Sequence, residues 1–340
     1  MDKSVQKKNI VVMGAGLIGK RHIDMISGHP DCHLVAVIEP QSALHANDDI
    51  SYVASIDDMD DAVASSVDGI VIATPTGLHH DHAIAAADRG WHILIEKPVC
   101  ATPQEATALG QYLADKNLVC LVGHHRRYHD SIGVLKQAVH DGTIGQPLSS
   151  SLIWSVRKPD DYFAGNWRQS DGSPVMINLI HDVDLMRFVL GDIDEITGFG
   201  AATTRAQGRV ETGALALRFA SGLCGSVIFS DAAPSPWGFE AGTAENPNIA
   251  ASHQDMWWIT GSKASISFPS LTLWSGSDSW GHAQSPSRLD SQPTIPLHAQ
   301  LDHFISAMSG KATPMITVAD AARSLEITFQ IEQMLSAQIG

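Results

Sequence analysis

The sequence predicts an α/β chain in two domains, a doubly wound parallel half over residues 1–123 and a second α/β half over 124–340. Three observations predict it. At 340 residues the chain is long for one domain. Its first 123 residues alternate short, solid β-branched runs with helical segments, the pattern of a parallel sheet wrapped by helices. After Gly142 the strand candidates alternate apolar and polar residues, which suits an antiparallel or mixed sheet with one solvated face.

In order, "NIVVM" (Asn9–Met13) reads as a buried strand and "LIGKRHIDMIS" as the helix after it. "LVAVI" (Leu34–Ile38), "GIVIA" (Gly69–Ala73), "HILI" (His92–Ile95) and "LVCLV" (Leu118–Val122) continue the series. "HHDHAIAAADRG" is a helix with a C′ glycine at Gly90, and the acidic "DDMDD" (Asp57–Asp61) a solvated helix start favoured by the macrodipole. In the second half "LSSSLIWSV", "GALALRF", "LCGSVIF" and "ASISF" are strands. Pro174–Leu190 is a helix, as are segments near Ala299–Met308 and Val318–Leu335, the last free to pack back toward the first domain.

Composition narrows the classes. Apolar residues at 44% and charged residues at 17% fit a soluble globular protein. A formal charge of −15, from 22 basic against 37 acidic residues, argues against nucleic-acid or anionic-membrane partners. Cys32, Cys100, Cys120 and Cys224 stand singly, with no metal-ligand spacing, and read as reduced core thiols of a cytoplasmic protein without a bound metal. The opening "MDKSVQKKNIVVMGAG" is neither a signal peptide nor a membrane span.

"VVMGAGLIG" sets Gly14, Gly16 and Gly19 as G-x-G-x-x-G between a strand and a helix, with Leu17 and Ile18 inside the motif. The first glycine allows a tight turn and the second lets backbone approach a pyrophosphate. The third packs helix on strand, leaving phosphate at a helix N-terminus. Glu39 ends the second strand twenty residues later, where a carboxylate accepts from adenosine ribose hydroxyls and repels a 2′-phosphate. The following "PQSAL" holds no Arg or Lys, so NAD is expected over NADP. The competing reading is an ordinary turn with a solvated Glu.

"ILIEKPV" places Glu96, Lys97 and Pro98 at the carboxyl end of a buried strand, where open α/β sheets bind ligands. An ammonium there polarises a substrate oxygen and assists proton movement, and Pro98 restricts Lys97 to extended backbone. Taken alone, an "EKP" is better explained by a snorkelling surface lysine.

"GAGLIGKRH" followed by "ATPTGLHHDHAIAAADRGWHILIEKP" resembles the Gfo/Idh/MocA oxidoreductases, which include inositol and sugar dehydrogenases; the likeness covers nearly the whole chain and is most specific up to Gly123. It implies a Rossmann domain followed by an α/β domain on an open, mostly antiparallel sheet, often an oligomerisation surface, hence a homodimer or homotetramer. By that resemblance Thr74, Pro75 and His79 lie beside the cofactor, Glu96 and Lys97 reach the nicotinamide end, and Lys97 is catalytic. "GHHRRYHD" resembles the family's crossing segment, with Arg126, Arg127 and Tyr128 fitting it and His125 where another residue is common. Those arginines either hold substrate through rigid forked donors or form an interface ion-pair cluster. "NWRQ" resembles a Trp-Arg pair near the active site, Trp167 and Arg168.

The helix after Ser173 and Pro174 has a hydroxyl N-cap and a first-turn proline, and Gly191 closes it. It is apolar almost all round, so Asn178, His181, Asp182 and Asp184 need partners. A core histidine satisfied by an aspartate is the plain explanation. The family's active-site helix carries an acid, a histidine one turn later, and often an aspartate three beyond. His181 and Asp184 match, but Ile177 and Asn178 stand where the acid belongs. His181 is then the general base, Lys97 steadies the developing oxyanion, hydride passes to nicotinamide, and Asn178 contacts a substrate hydroxyl while Asp184 flanks the imidazole.

The aromatic stretch Ser230–Trp258 contains Trp237, Phe239, Trp257 and Trp258, which either stack on substrate or fill core, with Tyr162 and Phe163 ambiguous in the same way. The expected function is NAD-dependent oxidation of a secondary hydroxyl on a polyhydroxylated sugar, sugar acid or cyclitol. The alternatives are a cyclic dihydrodiol dehydrogenase of the same family, an NAD-dependent glycosidase, and a non-catalytic dinucleotide-binding regulator.

Overall fold

The computed structural model describes residues 7–41, 50–164, 172–205 and 208–339. The chain divides into two compact units, Met1–His125 with Pro296–Glu326, and Arg126–Ile295 with Ile327–Gly340.

In the first unit the solid apolar runs become strands because both sheet faces are covered. These are β1 (Lys8–Met13), β2 (Cys32–Ile38), β3 (Tyr52–Val53), β4 (Gly69–Ile72), β5 (His92–Ile95) and β6 (Cys120–Val122). Every ladder is parallel, in the order β3-β2-β1-β4-β5-β6. That order reverses direction between β1 and β4, and ligands of such sheets sit beyond the strand ends at this switch. The two-residue β3 is too short to leave a periodic signal. Around the sheet run α1 (Leu17–Gly28), α2 (Asp61–Ser66), α3 (His79–Asp88) and α4 (Pro103–Ala114). Asp60 accepts from the backbone of Ala62 and Val63, so the acidic run does start a helix. Gly90, at φ 76°, ends the turn after α3 in the left-handed region that glycine enters freely.

The second unit contains α5 (Asp130–His140), β7 (Pro147–Ser155), α6 (Ile180–Leu190), β8 (Ile193–Ala201), β9 (Thr212–Phe219), β10 (Cys224–Ser230), the short α7 (Phe239–Thr243), β11 (Trp257–Gly261), β12 (Ser265–Phe268), β13 (Thr272–Ser275) and β14 (Ser285–Arg288). The eight-stranded sheet runs β14-β13-β12-β11-β7-β10-β9-β8, antiparallel except between β7 and β10. Leu152, Trp154, Leu217, Phe229 and Trp257 face its core. Alternation along β9 leaves every second residue exposed, and Phe199 and Ile228 are exposed at 79% and 50%.

Two helices close the chain, α8 (Pro296–Met308) and α9 (Val318–Ser336). The first unit runs to His125 and takes in a later segment, where the sequence reading put the boundary at Gly123. Residues 296–326 rejoin the first unit, where Val122 N bonds Ile316 O, and a Cβ on Gly69 would stand 2.8 Å from Met308 Sδ and 3.2 Å from Phe304 Cζ. A missing side chain on β4 thus makes room for α8. The cysteines also depart from expectation, since Cys224 is exposed rather than a core thiol. None of the described helices is long and apolar enough to cross a membrane.

Candidate active site

In the first unit the glycines divide their work as the spacing requires. Gly14 has φ +95°, and a Cβ there would lie 2.7 Å from Ala73 O; on Gly19 it would fall 2.0 Å from Gly14 O. Gly16 has nothing within 4 Å of that position, and it opens α1 with no side-chain cap. Leu17 beside it is 82% exposed and Ile18 partly buried. The first turn of α1 therefore presents backbone N–H groups to open space, which is what a pyrophosphate needs. Glu39 Oε2 accepts from Ala15 N at 2.9 Å, tying the end of β2 to the glycine turn. A carboxylate has about four acceptor sites, so capacity remains for ribose hydroxyls.

The turns after β4 and β5 are cross-braced. Thr74 and Pro75 follow β4, with Thr74 Oγ1 3.0 Å from His82 Nδ1 and Pro75 exposed. His79, expected beside the cofactor, is enclosed, with Nδ1 2.8 Å from Pro98 O and Nε2 2.9 Å from Thr74 O. Burial pushes this imidazole below its usual pKa, against those carbonyls and Glu96, so it donates to one carbonyl at a time. Its structural place is inside the turns, not at their rim. Glu96 is likewise turned inward. Its Oε1 meets His22 Nε2 at 2.8 Å, and its Oε2 accepts from Lys97 N at 3.2 Å. Burial alone would raise this carboxyl, but the His22 hydrogen bond and the charges of His22, His125 and Lys97 outweigh it and hold it at about 2. Lys97 is partly buried after the end of β5 and is joined to Pro98 by a cis peptide.

In the second unit the expected helix opens differently. Val175–Leu179 is a π-turn, with Ile180 N reaching Val175 O, and regular α6 begins only at Ile180. Such wide turns recur at functional sites because they re-aim side chains. Ser173 Oγ accepts from Val175 N as an N-cap would, and Gly191 closes α6 at φ +94°. Asn178 lies in the π-turn, its Oδ1 buried with no partner among the described residues. His181 is buried near the start of α6.

Asp184 accepts from Arg127 on both oxygens, at 2.6 and 2.7 Å. Arg126 Nη1 lies 3.3 Å from Asp182 Oδ1, and Nη2 2.5 Å from Glu240 Oε1. The guanidinium carbons of Arg126 and Arg127 stand 4.5 and 4.8 Å from the ring centroids of Phe239 and Phe188. Both arginines, read as substrate forks or as an ion-pair cluster, are paired with carboxylates, which a buried guanidinium requires. Burial and the neighbouring Glu240 push Asp182 up to about 7, against Arg126. Tyr128 is partly buried and its hydroxyl pushed above the usual range by burial, against Arg127.

Trp167 and Arg168 lie outside the described residues. Trp257 and Phe239 are fully buried core, and Phe163 is buried beside Arg205 and Arg209, whereas Trp237 is 41% exposed. Among the described residues no cluster of three or more His, Cys, Asp or Glu could hold a metal. Sequence reasoning missed His22 and Glu240. His22 had a signal, its place three residues after Gly19 on the helix of the glycine turn; Glu240 sat in a segment weighed for its aromatics.

Residues 8–124 match the family described as "Oxidoreductase family, NAD-binding Rossmann fold", and residues 133–267 match "GFO/IDH/MocA C-terminal domain". The inositol 2-dehydrogenase of Rhizobium meliloti is 31% identical over 186 residues, 53% of this chain and 54% of that one. The scyllo-inositol 2-dehydrogenase (NAD(+)) of Bacillus subtilis is 26% identical over 242 residues, 66% of this chain and 67% of that one. The chain thus spans between about half and two-thirds of the length of these relatives. Among solved structures, the UDP-N-acetylglucosamine 3-dehydrogenase GnnA of Acidithiobacillus ferrooxidans aligns with a TM-score of 0.77 at 21% identity, covering 98% of this chain and 99% of that one. That likeness supports the fold.

Proposed function

The chain belongs to the Gfo/Idh/MocA oxidoreductase family, and on that premise we propose that it is an NAD-dependent dehydrogenase acting on a secondary hydroxyl of a sugar, sugar acid or cyclitol. One observation carries the reading: an open glycine turn and a lysine stand at the carboxyl ends of two strands of one parallel sheet. When bound, NAD supplies a nicotinamide ring that accepts hydride. The first turn of α1 holds the pyrophosphate through its N–H groups, with Gly16 leaving the approach clear, and Glu39 takes the ribose hydroxyls and excludes a 2′-phosphate.

Lys97 and His181 divide the remaining chemistry. The Lys97 ammonium donates to the reacting oxygen and steadies its growing negative charge. His181 takes the hydroxyl proton, a task suited to imidazole near neutral pH. Asn178 accepts from a neighbouring substrate hydroxyl through its Oδ1, which has no partner among the described residues, since an amide orients but takes no proton. Tyr128 is kept neutral and offers a hydroxyl donor to the same substrate. The open sheet face bearing Phe199 and Ile228 serves as the surface between copies in a dimer or tetramer.

The test is NADH formation, followed by absorbance, across sugars, sugar acids, polyols, cyclitols including myo-inositol, and cyclic dihydrodiols. Turnover of a cyclitol or sugar is expected, with NADP a poor substitute. Glycoside cleavage with no accumulating NADH, or NAD binding with no turnover of any member, would replace the proposal with the glycosidase or the regulator.

A further inference from the structure

We infer that His22 is a positioning residue for Lys97, acting through the carboxylate of Glu96. The inference rests on the reading of Lys97 as catalytic. His22 lies on α1, three residues after the last glycine of the cofactor turn, and is 1% exposed. Its Nε2 is 2.8 Å from Glu96 Oε1, and the other oxygen of that carboxylate accepts from Lys97 N at 3.2 Å. A continuous path therefore runs from the helix that receives the pyrophosphate to the backbone of the lysine.

The same turn is held on its far side, where His79 of α3 meets Pro98 O at 2.8 Å. One buried imidazole thus steadies the amide entering Lys97 and another the carbonyl just beyond it. Four titratable groups face Glu96: His22 from α1, His79 from α3, His125 from the segment after β6, and Lys97 beside it. Gly123 permits the arrangement, because a Cβ there would lie 3.0 Å from Glu96 Oε2. If the pocket needed only filling, a leucine at position 96 would avoid burying a charge. The carboxylate is useful because it has two directional acceptors and joins two separate elements. Neither His22 nor Glu96 needs to touch substrate for this.

His22→Leu leaves Glu96 Oε1 without its donor, frees the carboxylate to rotate, and loosens the turn bearing Lys97. A displacement of about 1 Å can cost on the order of 100-fold in rate. The native carboxyl sits well below its ordinary value of 4.5 and works ionised, so its hold on the turn is kept throughout the range in which the general base is active. Removing the donor takes away the hydrogen bond that fixes its orientation.

The experiment measures kcat and KM for NAD for wild type, His22→Leu, His22→Gln and Lys97→Met on the best substrate of the panel. In His22→Leu kcat is expected to fall about 10- to 100-fold with KM for NAD within about threefold. The glutamine, whose Nε2–H replaces the imidazole donor, restores most of kcat. Wild-type kcat in His22→Leu, or equal losses of kcat in both His22 variants, overturn the inference. Full turnover in Lys97→Met overturns the underlying reading of Lys97 instead. If His22→Leu does not fold, Glu96→Gln carries the test: a comparable loss of kcat is expected, and wild-type kcat contradicts it.

Discussion

The glycine turn of the first unit and the histidine helix of the second handle polar groups in opposite ways. Around Gly16 backbone donors are left facing open space, and the side chains that shape the turn bond to backbone close by. Along α6 the aspartates are enclosed and paired with residues 56 and 57 positions away, Asp182 with Arg126 and Asp184 with Arg127, and Arg126 also reaches Glu240. A site made of backbone is written in local spacing. One made of buried charges depends on partners that only the tertiary fold supplies. If that contrast is right, substitutions along the histidine helix act through charge and chemistry, and those in the glycine turn through geometry.

The largest effect is expected at His181. Replacing it with alanine should lower kcat on the order of 10²–10⁴-fold with little change in NAD affinity; steady-state rates with near wild-type turnover would break the assignment. Next comes the ion pair on the same helix. Arg127→Ala strands the buried Asp184 carboxylate and should destabilise the protein by about 3–5 kcal/mol in denaturant unfolding. If the midpoint hardly moves, the pair is not the anchor described.

Asp182 gives a test by pH. Its folded pKa, about 7, lies above the ordinary 3.8, so the folded state keeps a proton that the unfolded chain has released. Stability should therefore fall as pH rises between these values and level off above 7. Asp182→Asn should flatten that slope in thermal melts across the range; an unchanged slope would mean another group titrates there. The smallest effect belongs to the first unit's periphery. Asp60→Ala removes the cap of α2 at a cost of about 1 kcal/mol and should leave turnover unaltered.

The same contrast explains what could be read from the sequence. Gly14, Gly16, Gly19, Glu39 and Lys97 were legible because strand, turn and helix follow one another within a few residues. The strands of the first sheet were legible as solid apolar runs, although β3, two residues long, left no trace. In the second unit the alternating strands were legible. The π-turn at Val175–Leu179 was not, because widening a helix by one residue leaves its apolar pattern intact. Glu96 and His79 were placed at the cofactor by resemblance, yet their burial depends on His22 and on Pro98 O, which a linear reading cannot align. The bond of Asp184 to Arg127 is equally a matter of tertiary pairing. The return of residues 296–326 to the first unit turned on the absence of a side chain at Gly69.

Hydride transfer is the central claim, and isotope tracing tests it most directly. The sugar or cyclitol returned by the panel is deuterated at its carbinol carbons and incubated with NAD, and the recovered cofactor is weighed by mass spectrometry. One deuterium per NADH formed is predicted, with the yield of labelled cofactor collapsing in Lys97→Met and in His181→Ala. Product formation without labelled NADH, or undiminished labelling in both variants, would contradict the account.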